Sequence, residues 1–124
     1  MDPAAHERMF AAIDRFNRGD YFTAQAELET LFNELPEDGR ALVRVLMTLA
    51  TAMHLFFKRS GGRGVHNLMR QVMVGLDQLG PEADGVATGE LFDAVEAYLQ
   101  ELEGRKKPGA GFFDRWLAPK IGSV

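Results

Sequence analysis

The segment from about Asp38 to Lys58 limits the fold more than any other part of the chain. At the roughly 100° per residue of an α-helix, Leu42, Val43, Val45, Leu46, Met47, Leu49, Ala50, Ala52, Met53, Phe56 and Phe57 cover most of its circumference. Only Arg44, Thr48, Thr51 and Lys58 form a polar strip. A helix apolar nearly all round must be covered on several sides. No apolar run approaches the ~20 residues that span a bilayer, so the segment reads as the central core helix of a protein that does not cross membranes. The chain of 124 residues has the size of one domain, and the covering must come from its other segments.

Four amphipathic segments supply it. Asp2 as N-cap and Pro3 in the first turn start a helix whose stripe is Met9, Ile13 and Phe16 with Phe10 beside it, ending at Gly19, a residue suited to a C-cap. Asp20 caps a second helix from about Tyr21 to Leu35, closed by Pro36. So short a connection makes the two an antiparallel hairpin. After Gly61 and Gly62, a fourth helix from about Arg63 to Leu79 carries Leu68, Met69, Val72, Met73, Leu76 and Leu79 on one face. A fifth, from about Gly89 to Glu103, buries Leu91, Phe92, Val95, Tyr98, Leu99 and Leu102. "GPEADGVATG" between them reads as a loop. With no alternating β-branched run, the expected class is all-α: a compact bundle of about five helices in which a repeat-like antiparallel hairpin packs on a buried central helix.

Residues 1–103 make this domain, and 104–124 form a tail of different character. The tail holds Arg105, Lys106, Lys107, Arg115 and Lys120 against Asp114, a balance of +4, which leaves −8 for the first 103 residues of a chain whose net charge is −4. The acidic body would repel nucleic acid, and the tail offers weak, salt-sensitive attraction to an acidic surface. Its first eight residues read as a flexible linker. Phe112, Phe113, Trp116 and Leu117 then line one side of a short helical turn that stops before Pro119. A cluster so apolar should leave water, at ~25 cal/mol per Å² buried. It would fold back on its own domain, or dock on a partner or a second copy as a helix in a groove; one short cluster would anchor only weakly to a membrane.

Gly19-Asp20-Tyr21, Ala24, Leu28, Leu31 and Pro36 are similar in spacing to the second half of a tetratricopeptide repeat, although no 34-residue period continues. Over about residues 10 to 80, "FNRGDYFTAQAELETLF", "LMTLATAMHLFF" and "GRGVHNLM" resemble the hairpin, apolar central helix and Gly-led next helix of the small all-helical domain-of-unknown-function family 309. The resemblance implies a site on the second helix where family members carry a His-Glu pair and a further Glu, a set that suggests metal-dependent hydrolysis. Here Gln25 and Ala26 take the places of the pair. Glu29 and His54 correspond to family positions, and Thr48 stands where Gln is expected.

Chemistry read from the residues alone argues against a metal hydrolase here. A metal hydrolase needs about three convergent ligands and an open position, whereas His6, His54 and His66 fall on three different helices. "HERMF" has Phe10 where a zinc-protease motif needs its second His, and no nucleophile elbow, phosphate loop or dinucleotide fingerprint occurs. "GGRG" at 61–64 places glycines and Arg63 at a helix N-terminus where an anion could sit, and reads first as a plain helix-to-helix turn. No cofactor and no metal is implied. Gln25 projects among apolar neighbours, so it should be buried or nearly so, with Glu29, Thr48 or His54 as hydrogen-bond partners; these four are the candidate polar cluster or ligand site. His54 and His66 read as packing histidines. Met47, Met53, Met69 and Met73 read as core filler, or as an adaptable groove.

With no cysteine and a start that lacks the pattern of a secretory signal, the expected setting is cytoplasmic. The expected role is a non-catalytic interaction or scaffold protein. Its candidate partner-docking residues are Phe112, Phe113, Trp116 and Leu117. The alternatives are a ligand-binding or hydrolase-like protein using the cluster between the second and third helices, and peripheral membrane binding through the tail.

Overall fold

Apolar spacing sets where the long helices form, and local capping sets where they stop. The computed structural model describes residues 1–59, 63–105 and 114–124. Among these the chain is all-helical: α1 (Pro3–Asn17), α2 (Tyr21–Glu34), α3 (Ala41–Arg59), α4 (Arg63–Leu79), α5 (Thr88–Glu103) and the short α6 (Asp114–Leu117). Gly61, Gly62, Phe112, Phe113 and most of the expected linker lie outside the described residues.

The α1–α2 hairpin follows from two adjacent residues. Gly19 takes φ of 86°, and the Gly19 and Asp20 N–H groups donate to the Phe16 and Arg15 carbonyls at 2.9 and 3.0 Å. This pair of bonds is a Schellman turn, which satisfies the last carbonyls of α1. The Asp20 carboxylate then accepts from the Thr23 N–H at 3.3 Å and opens α2. At the other end of α1, Asp2 accepts from Ala5 N–H at 2.8 Å.

The approach to α3 departs from the sequence reading. Instead of one helix from Asp38, Glu37–Gly39 make a single 3-10 turn and α3 begins at Ala41. Arg40 closes this corner: its Nε donates to the Leu35 carbonyl at 2.9 Å, and its guanidinium lies 4.8 Å from the Phe32 ring centre.

Leu42, Val43, Leu46, Leu49, Ala50, Met53 and Phe56 of α3 are all buried, so the central helix is covered as its composition requires. Ala41–Lys58, at mean hydropathy 1.4, is the one described helix long and apolar enough to cross a membrane; half of that stretch is buried within this fold. Each helix packs chiefly on its neighbours in the chain, with α3 between α2 and α4. Gly75 permits the close approach of α4, since a Cβ there would lie 2.5 Å from Val45 Cγ2.

Between α4 and α5 the loop is more ordered than its Gly and Pro content suggests. Ala83 and Val86 exchange backbone hydrogen bonds at 3.1 and 2.8 Å around Asp84 and Gly85, with φ of 46° and 82°. Positive φ at both central residues is the type I′ pattern that Asp-Gly favours. His6 Nε2 of α1 donates to the Asp84 carbonyl at 2.8 Å and ties the turn to the first helix.

Candidate functional site

The C-terminal segment returns to the helical body through polar and small side chains. Asp114 is 2% exposed. Its carboxylate takes a two-pronged hydrogen bond from Arg105, with Nη1 to Oδ2 at 2.7 Å and Nη2 to Oδ1 completing the fork. The Asp114 hydrogen bond raises the Arg105 pKa above its ordinary value. The Tyr98 O–H donates to the Asp114 carbonyl at 3.2 Å. Burial, aided by the nearby Asp114 carboxylate, pushes the Tyr98 phenol well above its usual range. Arg115 lies 4.4 Å from the Phe57 ring centre, and its Nη1 donates to the Gly19 carbonyl at 3.4 Å.

Further on, Ala118 and Ile121 join the hydrophobic core. Asn17, the last residue of α1, grips the backbone there with both ends of its amide: Nδ2 donates to the Ile121 carbonyl at 2.9 Å and Oδ1 accepts from the Ile121 N–H at 2.8 Å. The Ala87 N–H donates to the Gly122 carbonyl at 2.9 Å and the Val124 N–H to the Gly85 carbonyl at 3.0 Å, so the chain end pairs with the type I′ turn.

Between these anchors stand Trp116 and Leu117, 81% and 60% exposed. The expectation that they leave water is not met within this chain. Asp114 and Ala118 are one helical turn apart and take the inward face of the segment, which turns Trp116 outward. The other two residues of the expected aromatic cluster, Phe112 and Phe113, lie outside the described residues.

The polar cluster is only partly assembled. Gln25, Glu29 and Thr48 do line one groove of about 360 Å³ between α2 and α3, with Phe32, Met47 and Leu68. His54 does not join them. It sits six residues after Thr48, about 240° round the helix, and its ring packs 5.3 Å from that of Phe22. Gln25 is half-buried, and Glu29 is exposed. The Thr48 and Thr51 hydroxyls donate to the Arg44 and Met47 carbonyls of their own helix at 2.8 and 2.9 Å. These hydroxyls are thus spent locally rather than directed at a common point.

Among the described residues, no three His, Asp or Glu side chains are grouped so as to hold a metal ion, and no buried side-chain N or O lacks a hydrogen-bond partner. Met53 and Met69 are core filler, whereas Met47 and Met73 are half-buried. Sequence reasoning missed Asn17, Tyr98, Arg105 and Asp114 as the groups that hold the tail. Only the last two left a trace, as opposite charges bracketing the Pro-Gly stretch.

No family model, curated protein or solved structure matches this chain.

Proposed function

We propose that the protein is a non-catalytic interaction module that presents Trp116 and Leu117 to a protein partner. The observation that carries this reading is their exposure on a segment anchored at both ends, by Asp114 before them and by Ala118 and Ile121 after them. Exposing a Trp forfeits the stabilisation its burial would bring. Trp is also the side chain best suited to anchor an interface, and anchoring its backbone beforehand lowers the entropy lost on binding. The kinship to domain-of-unknown-function family 309 belongs to the same proposal, as that of a divergent helical member without the His-Glu pair. It is supported by the Gly19-Asp20 turn and the apolar α3.

Capture from native extract by the full chain and by the Trp116→Ala/Leu117→Ala variant tests the reading, with circular dichroism confirming that the variant folds. A partner retained by the first and lost by the second is the expected result. Equal retention would move the interaction surface to the helical body. A ligand reading of the α2–α3 groove is favoured only by the convergence of Gln25, Glu29 and Thr48 on it. It predicts thermal stabilisation by a small molecule that Gln25→Ala abolishes.

A further inference from the structure

We propose that Trp116 and Leu117 of one copy dock in the groove between α4 and α5 of a second copy, so that the chain associates head to tail with itself. The inference rests on the docking role proposed for these two residues and names their partner. The groove encloses about 740 Å³. Its apolar lining is Met73, Val74, Phe92 and Leu99, of which Val74 remains 59% exposed. Among the described residues its charged lining is mainly acidic, Asp77, Glu96 and Glu103 beside Arg70, which is already bound to Glu103 at 2.6 Å.

A neighbouring hollow of about 600 Å³ shares Asp77 and Phe92 with the groove and adds Glu82, Glu90 and Asp93. The face therefore suits an apolar side chain carried on a cationic segment. The chain itself contains one. Trp116 follows Arg115 and precedes Lys120, within the stretch 104–124 that is +4 against a body of −8. In its own chain Trp116 lines neither hollow. Joining a groove on one copy to a tail on the next is a heterologous contact that repeats along a row, so assembly is not confined to a dimer.

The test uses the full chain, whose only tryptophan is Trp116. Sedimentation velocity and tryptophan emission are followed as protein concentration rises, for the wild type, Val74→Arg, Trp116→Ala and an equimolar mixture of the two variants. The wild type is expected to gain mass beyond a dimer while its emission shifts to the blue, and added salt should reverse both. Each variant alone should associate about 30-fold more weakly, the usual scale for losing an interface anchor.

The mixture is the decisive arm. Val74→Arg still offers a tail and Trp116→Ala still offers a groove, so together they should form a one-to-one complex that grows no further, with the blue shift reporting the only tryptophan present. Association unaffected by Val74→Arg, or variants that fail to complement, would overturn the proposal. So would a blue shift without a gain in mass, which places Trp116 in its own chain. A wild type that stays monomeric removes the second copy as partner. The docking reading itself falls only if Trp116→Ala/Leu117→Ala leaves capture of other proteins unchanged.

Discussion

The α2–α3 groove and the C-terminal latch both carry polar residues, yet they spend those residues differently. In the groove, Thr48 and Thr51 bond to carbonyls one turn back on their own helix, and Glu29 faces water. In the latch, Asn17 reaches the backbone of Ile121 and Arg105 grips a buried Asp114. A polar group bonded within its own helix adds little to tertiary structure, since water would serve it nearly as well. One that satisfies a distant buried group holds two parts of the chain together, and its loss strands the partner.

The largest effect should come from the latch. Asp114→Ala is expected to lower unfolding stability by about 2–3 kcal/mol in urea titrations, below the ~3–5 of a fully buried pair because the Arg105 side chain keeps 21% of its surface exposed. A loss under about 0.5 kcal/mol, the size of an ordinary surface change, would erase the contrast with the groove. Asn17→Ala removes two hydrogen bonds to one buried backbone position and should cost about 1–2 kcal/mol. Asn17→Asp sharpens the point, for it keeps an acceptor for the Ile121 N–H but leaves the carbonyl without its donor.

Near pH 10 the effect of alkali is smaller still. Burial raises the pKa of both tyrosines in the chain, Tyr21 and Tyr98. Above about pH 10 the unfolded chain therefore releases phenol protons that the native state keeps, and stability falls as pH rises. Ultraviolet absorbance should show tyrosinate forming only as the protein unfolds. If Tyr98 ionises in the folded protein near pH 10, it is not sealed beneath the tail. The smallest changes belong to Gln25→Ala and Glu29→Ala, expected within about 0.5 kcal/mol of wild type by the same urea titration. A larger loss from Gln25→Ala would make the groove a structural site after all.

The helices were legible because apolar spacing and capping are local. Asp2, Gly19 and Asp20 declare the hairpin, and the composition of α3 declares its central place. The Asp84-Gly85 turn was legible too, but its pattern was submerged in a loop rich in glycine. Gly75 carried no signal, because a glycine inside a helix marks a close approach only once the facing Val45 is known. His54 was misplaced for want of helical phase: an apolar face and a groove-lining strip lie on the same helix, and six residues separate it from Thr48. Nothing in the sequence could assign Asn17 to Ile121, since the pairing depends on where the chain end comes to rest. Trp116 taught the converse lesson, that apolar composition states a preference for burial without naming the molecule that satisfies it.

The Asn17 clamp joins groups 104 residues apart in a bundle whose helices otherwise pack on their chain neighbours. Contacts between neighbours form early and fast, whereas closing a long loop comes late in folding. The clamp is therefore expected to form on the far side of the folding barrier. Loosening it should quicken unfolding and leave the refolding rate nearly unchanged. Speed of formation is set by the helical hairpins, and the lifetime of the closed form by the contacts that hold the tail, this asparagine amide among them.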